Sequence, residues 1–173
     1  MRAIWIGSSV VWALSASATA GAATGDAYLQ RFVGNWKGGG TALLSVYLPA
    51  WRVDCDLASA RAPNSVRVYG SCRLSLFSFL SKRIDTTLFY NPPTDSYSGT
   101  YSVNDGPPAV MSGRLAGDVL TLDVTWPKPV NGHLKAVIRT TNDGLGHLSL
   151  TSIDPLGTDG TPLTTSDLAF VSR

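Results

Sequence analysis

Helix-forming periodicity, histidine, cysteine, long apolar runs and blocks of like charge are all scarce in this chain of 173 residues. Charged residues make up 15% of it and the formal net charge is +2. An ordinary globular domain carries about a quarter charged residues, so this is not a solvated acidic or basic tail. The basic residues are scattered along the sequence, which gives no footing for nucleic acid or for an anionic membrane surface. Two histidines and two cysteines are too few, and too far apart, for a zinc set. No nucleophile-elbow motif, phosphate loop or His-x-x-x-His pair is present. Serines are numerous enough that any Ser-His-Asp combination can be drawn, so none carries information. The longest apolar run, Ile4 to Leu14, falls short of the about 20 residues that a spanning helix needs.

That run has another reading. Arg2 precedes it, and small residues follow it from Ser15 to Ala23, with small-x-small sites at Ala18-Thr19-Ala20 and Gly21-Ala22-Ala23. The pattern predicts a signal peptide over 1–23 and a mature domain over 24–173, about 150 residues, enough for one core. No cysteine stands near the cleavage sites to carry a lipid. The expectation is an exported chain, periplasmic or extracellular, free in solution and without a stable membrane anchor. In such a compartment Cys55 and Cys72 are expected to form a disulfide.

What the chain does contain is alternation. Asp26 to Val33 reads as one or two helical turns, with Asp26 placed to cap them and Gly34 to end them. Beyond Gly34 the period becomes two. Trp51, Val53, Cys55 and Leu57 alternate with Arg52, Asp54 and Asp56; Val66, Val68, Cys72 and Leu74 alternate with Arg67 and Arg73. A turn centred on Pro63-Asn64 pairs residues whose numbers sum to 127. That register faces Cys55 with Cys72, Asp54 with Arg73, Val53 with Leu74 and Trp51 with Leu76. Further strands are expected over 83–90, 96–103, 109–115, 119–126, 133–140, 145–152 and 166–173. Turns or loops separate them at Asn91–Asp95, Asn104–Pro108, Pro127–Gly132, Asn142–Gly144 and Asp154–Thr161. About nine or ten short strands at regular spacing predict an all-β, antiparallel up-and-down barrel with a short N-terminal helical turn. A sandwich is the competing architecture.

The helical turn, the Gly34-Asn35-Trp36 opening of the first strand and a last strand ending in Arg173 resemble the calycin group: lipocalins, fatty-acid-binding proteins and bacterial lipocalin-like barrels. The resemblance implies that Gly34, Trp36 and Arg173 close one end of the barrel, the basic residue packing over the indole, with Arg139 as the other choice. The longer Gly34-x-Trp36-x-Gly38-x-Gly40 is also similar to haem-binding barrels, whose proximal histidine has no clear counterpart in His133 or His147. No cofactor is therefore expected, haem being the one considered.

Trp51, Tyr97, Tyr101 and Trp126 fall on apolar faces and are the candidates to line a pocket. Asp54 and Asp56 belong to a polar face, and Asp123 to the outer side of its strand. The function expected is non-catalytic binding of a small apolar or amphipathic ligand inside the barrel. A protein-binding or inhibitory module acting through loops such as 91–95 or 154–161, and a small barrel enzyme of cyclase, isomerase or esterase type, are the alternatives. An enzyme would require a buried acid or base, which sequence alone does not reveal.

Overall fold

Alternation of apolar and polar residues carries almost the whole described chain into strands. In the computed structural model, residues 25–45, 47–77, 79–130, 132–156 and 161–173 are described; the expected signal peptide lies outside them. One helix, α1 (Gly25–Gln30), precedes β1 (Asn35–Ala42), β2 (Trp51–Ala62), β3 (Ser65–Leu74), β4 (Ser81–Asn91) and β5 (Ser96–Val103). Then follow β6 (Ala109–Ala116), β7 (Val119–Val130), β8 (His133–Asn142), β9 (His147–Leu156) and β10 (Thr161–Ser172). Every strand pairs antiparallel with its neighbour in sequence, and β1 closes the ring against β10 from Trp36↔Ser172 to Ala42↔Ser166. The up-and-down barrel is as expected and the sandwich is not formed. Closure leaves no strand edge unpaired.

Closure has a local requirement at β1. A Cβ on Gly38 or Gly40 would sit 2.0 Å from the main-chain oxygen of Ala169 or Asp167 on β10, and one on Gly39 would sit 2.0 Å from that of Val53 on β2. Only three glycines in a row let β1 bend tightly between both neighbours.

The β2–β3 hairpin has the anticipated register, with Ala62↔Ser65 around Pro63-Asn64 and Asn64 at φ 54°. Proline followed by a residue of positive φ is the pattern of a type II turn. Cys55 faces Cys72 and the disulfide forms on the inner side, where Cys55 is buried.

Four expectations need correction. Trp51 does not pair with Leu76: β3 ends at Leu74, and Leu76 is 78% exposed. Arg73 lies opposite Asp54, yet its guanidinium reaches diagonally to Asp56 at 3.5 Å. Asp26 sits inside α1 and pairs with Arg61 instead of capping the helix. Strand pairing reaches into the loops expected at 127–132 and 154–161: β7 runs to Val130 with an irregular register after Thr125, and β9 and β10 pair up to Leu156↔Thr161, while 157–160 lie outside the described residues. Proline did not stop these strands: Pro155 and Pro162 face each other near the barrel's end.

Inside, alternate residues form the core, among them Val66, Leu88, Met111, Leu120, Val124 and Phe170. Outside lie Lys37, Asp54, Arg67, Asp123 and Arg139. Polar out and apolar in is the reverse of a barrel whose wall faces lipid.

Candidate functional site

The two ends of the barrel are built differently. At the end capped by α1, each named polar side chain is tied down. The Tyr28 hydroxyl donates to the main-chain oxygens of Asp118 (3.0 Å) and Thr140 (3.2 Å), and the Tyr97 hydroxyl to that of Gly25 (2.9 Å). Trp36 Nε1 donates to Phe32 O at 2.8 Å, and Asn142 Nδ2 to Arg31 O at 3.0 Å. Arg31 in turn binds Asn142 O and the Asp118 carboxylate. Burial pushes the Tyr28 phenol up to about 12 and raises that of Tyr97 further. This end is a fixed plug, because its donors have acceptors and its rings are out of water.

Gly34 joins α1 to β1 at φ 137°, which favours glycine, and its N–H donates to Ser59 Oγ at 2.8 Å. Trp36, 3% exposed, is part of the plug. The cation expected above it is elsewhere. Inward residues of β10 are Leu168 and Phe170, so Arg173 falls on the outward side and reaches Asp56 at 4.0 Å. Arg139 is likewise exposed on the outer face. The ring that does lie under a guanidinium at this end is Tyr28, 5.3 Å from Arg31.

The four aromatic candidates do not form one group. Tyr97, 1% exposed, belongs to the plug, against Tyr28 and Tyr90. Trp51, Tyr101 and Trp126 lie in the half away from α1, called the open half because no helix covers it among the described residues, packed on the core but only partly buried. Tyr101 and Trp126 flank Ala109, which is fully buried, and their rings meet edge to face across it at 5.8 Å. Small between large lets two rings on non-adjacent strands touch. Desolvation alone pushes the Tyr101 phenol up to about 12.

Three polar atoms in this open half are buried without a hydrogen-bond partner among the described residues: Trp51 Nε1, Trp126 Nε1 and Asp154 Oδ1. A fourth such atom, Asp26 Oδ1, lies beside α1 on a carboxylate that Arg61 already holds through Oδ2. The turn residues of 154–161 place Asp154 in a loop by sequence, whereas it stands on β9. The signal was available, since Leu148, Leu150 and Ser152 extend the same face of β9 to 154. Asp154 is 3% exposed, and burial holds its carboxyl above the ordinary value, opposed by a Thr165 hydrogen bond and by the charge of His133 when protonated. Left without a partner, each such atom costs about 1–3 kcal/mol, and three of the four stand in the open half.

His133 stands half-buried at the start of β8. His147 lies on the outer wall, its Nδ1 2.8 Å from Asp143 Oδ2, which removes it from the interior as a haem ligand. Among the described residues no cluster of three His, Cys, Asp or Glu could hold a metal ion. Two shallow grooves, of about 400 and 440 Å³, lie on the outer wall. One runs beside the Arg67–Asp85 pair, and the other beside Lys37 and Val171.

Fold and site together define a closed antiparallel β-barrel with one plugged end and one aromatic, polar-lined end. No protein-family model matches the sequence. A search of curated proteins finds no relative either.

Proposed function

We propose that this chain is a lipocalin-like carrier, exported and non-catalytic, that holds a small amphipathic molecule in the open half of its barrel. The observation that carries the reading is the set of buried atoms without a partner among the described residues, Trp51 Nε1, Trp126 Nε1 and Asp154 Oδ1, in the half of the barrel that holds the Tyr101–Trp126 ring pair. Indole N–H groups only donate and an ionised carboxylate only accepts, so a ligand with one hydroxyl or amide can serve both kinds. The rings supply apolar contact, and the polar atoms fix orientation. A carboxylate ligand would meet Asp154 with like charge, which favours fatty alcohols and amides over fatty acids. The disulfide and the polar outer wall are compatible with export.

Tryptophan fluorescence titrated with a long-chain alcohol, the matching fatty acid and haem tests this. The alcohol is expected to quench saturably and raise the thermal midpoint, and Trp126→Ala to weaken it by about tenfold or more, equivalent to losing about 1.4 kcal/mol. No saturable binding or thermal shift with any of a broad set of neutral, anionic and aromatic compounds would remove the carrier reading in favour of a protein-binding role.

A further inference from the structure

Folding sorts charges that are scattered in sequence. The turns at the plugged end carry Asp26, Asp95, Asp118 and Asp143, and the nearby cations Arg61 and Arg31 are held by Asp26 and Asp118. At the open end the arrangement is inverted. Among the described residues, Arg52, Lys82 and Lys128 are exposed and take part in no ion pair, while Asp105, in the β5–β6 connection, is held by Arg83.

The same rim carries apolar side chains in water. Tyr47 and Leu48 lie on the β1–β2 connection, and Leu76, Phe77, Phe79 and Leu80 on the β3–β4 connection. Tyr47 is 92% and Phe79 79% exposed. The two connections are neighbours because β2 pairs directly with β3. Ring contacts of 6.0 Å link Phe79 to Phe77 and Phe77 to Trp51, so the patch runs unbroken into the barrel's open half. Scattered exposed apolar residues are ordinary, but a contiguous group on one rim marks an interaction surface.

We propose that this open rim docks on the surface of an anionic lipid bilayer. Aromatic and aliphatic tips enter the headgroup region while Arg52, Lys82 and Lys128 face lipid phosphates, the combination of two weak signals that gives stable peripheral binding. A second copy of the chain fits less well, since a two-fold contact would bring these unpaired cations against their own counterparts. The charged outer wall, with Arg67–Asp85 and Arg73–Asp56 pairs, keeps the barrel from sinking further. The proposal does not depend on what the barrel holds.

Vesicle co-sedimentation at low salt tests it, using phosphatidylcholine alone and phosphatidylcholine mixed with phosphatidylglycerol. The chain is expected to pellet with the mixed vesicles, to bind pure phosphatidylcholine far more weakly, and to be released by salt. Lys82→Gln with Lys128→Gln should weaken binding roughly 30-fold, about fivefold for each cation lost. Leu76→Ser with Phe79→Ser should also abolish pelleting, with an unchanged thermal midpoint because both side chains are exposed. Absence of binding to either vesicle, equal binding to both, or rim variants that bind like the parent would overturn the proposal. So would sedimentation velocity showing that the Leu76→Ser, Phe79→Ser variant dissolves a dimer, which would assign the rim to a second copy.

Discussion

Removing the Cys55–Cys72 bridge, as the Cys55→Ala, Cys72→Ala double variant, is the perturbation whose size the structure fixes best. The bridge joins residues 17 apart in sequence, directly opposite each other in the β2–β3 ladder. In the chain-entropy model a closed loop of that length lowers the unfolded-state entropy by about 10.5 cal/mol/K, or about 3 kcal/mol at 25 °C. The folded barrel should hardly change, since Val53↔Leu74, the Pro63-Asn64 turn and the β3–β4 pairing hold the same register without sulfur. The loss therefore acts through the unfolded chain, and a small cavity at the buried Cys55 adds to it. Urea unfolding followed by fluorescence should show the midpoint falling by about 1.5 M at a slope of about 2 kcal/mol/M. Far-ultraviolet circular dichroism of the folded variant should match the parent. A midpoint shift under a third of that value would refute the loop-entropy reasoning, and two titratable thiols in unreduced protein would refute the bridge itself.

Trp36→Ala should cost about 3–5 kcal/mol, because the indole is buried in the plug and its Nε1 bond to Phe32 O disappears with it; denaturant midpoints measure this, and a loss near zero would place the ring outside the core. Asp154 gives a pH signature. Its folded carboxyl is held above the ordinary 3.8, so the folded protein keeps a proton that the unfolded chain has lost, and stability declines as pH rises from 3.8 through the folded value. Asp154→Asn should abolish that decline and be more stable than the parent at neutral pH; parallel stability curves would contradict the assignment. Asp143 should act in the opposite sense, since the N–H groups of Leu145 and His147 lower its carboxyl. Its contribution is present above 3.8 and lost as pH falls through the folded value, so Asp143→Ala should flatten the acid limb of the stability curve. Gly38→Ala should impair folding, because its Cβ would meet Ala169 O, and the yield of folded protein reports it.

Much of this architecture is local in origin and was therefore legible in the sequence. A two-residue period decides which side of a strand is apolar, and turn residues such as Pro63-Asn64 decide register, so the β2–β3 hairpin could be paired residue by residue together with its disulfide. About nine or ten strands joined mostly by short turns favoured sequential pairing over a sandwich, because parallel crossovers need longer connections. Strand lengths beyond 127 and 154 were not legible, because proline is locally a strand breaker, while here neighbouring strands keep pairing past Pro155 and Pro162. The fate of Arg173 was also beyond reach, since whether a terminal side chain falls inside or outside depends on where the ring closes between β1 and β10. The four aromatics share an apolar alternation, but only the barrel's two ends separate Tyr97 in the plug from Trp51, Tyr101 and Trp126 in the open half. Only closure brings Asp154 into the interior and sets Arg52, Lys82 and Lys128 on the same end of the barrel as the apolar connections. Sequence spacing fixes the face of a strand, whereas the company a side chain keeps across the barrel is set by contacts between strands far apart in the chain.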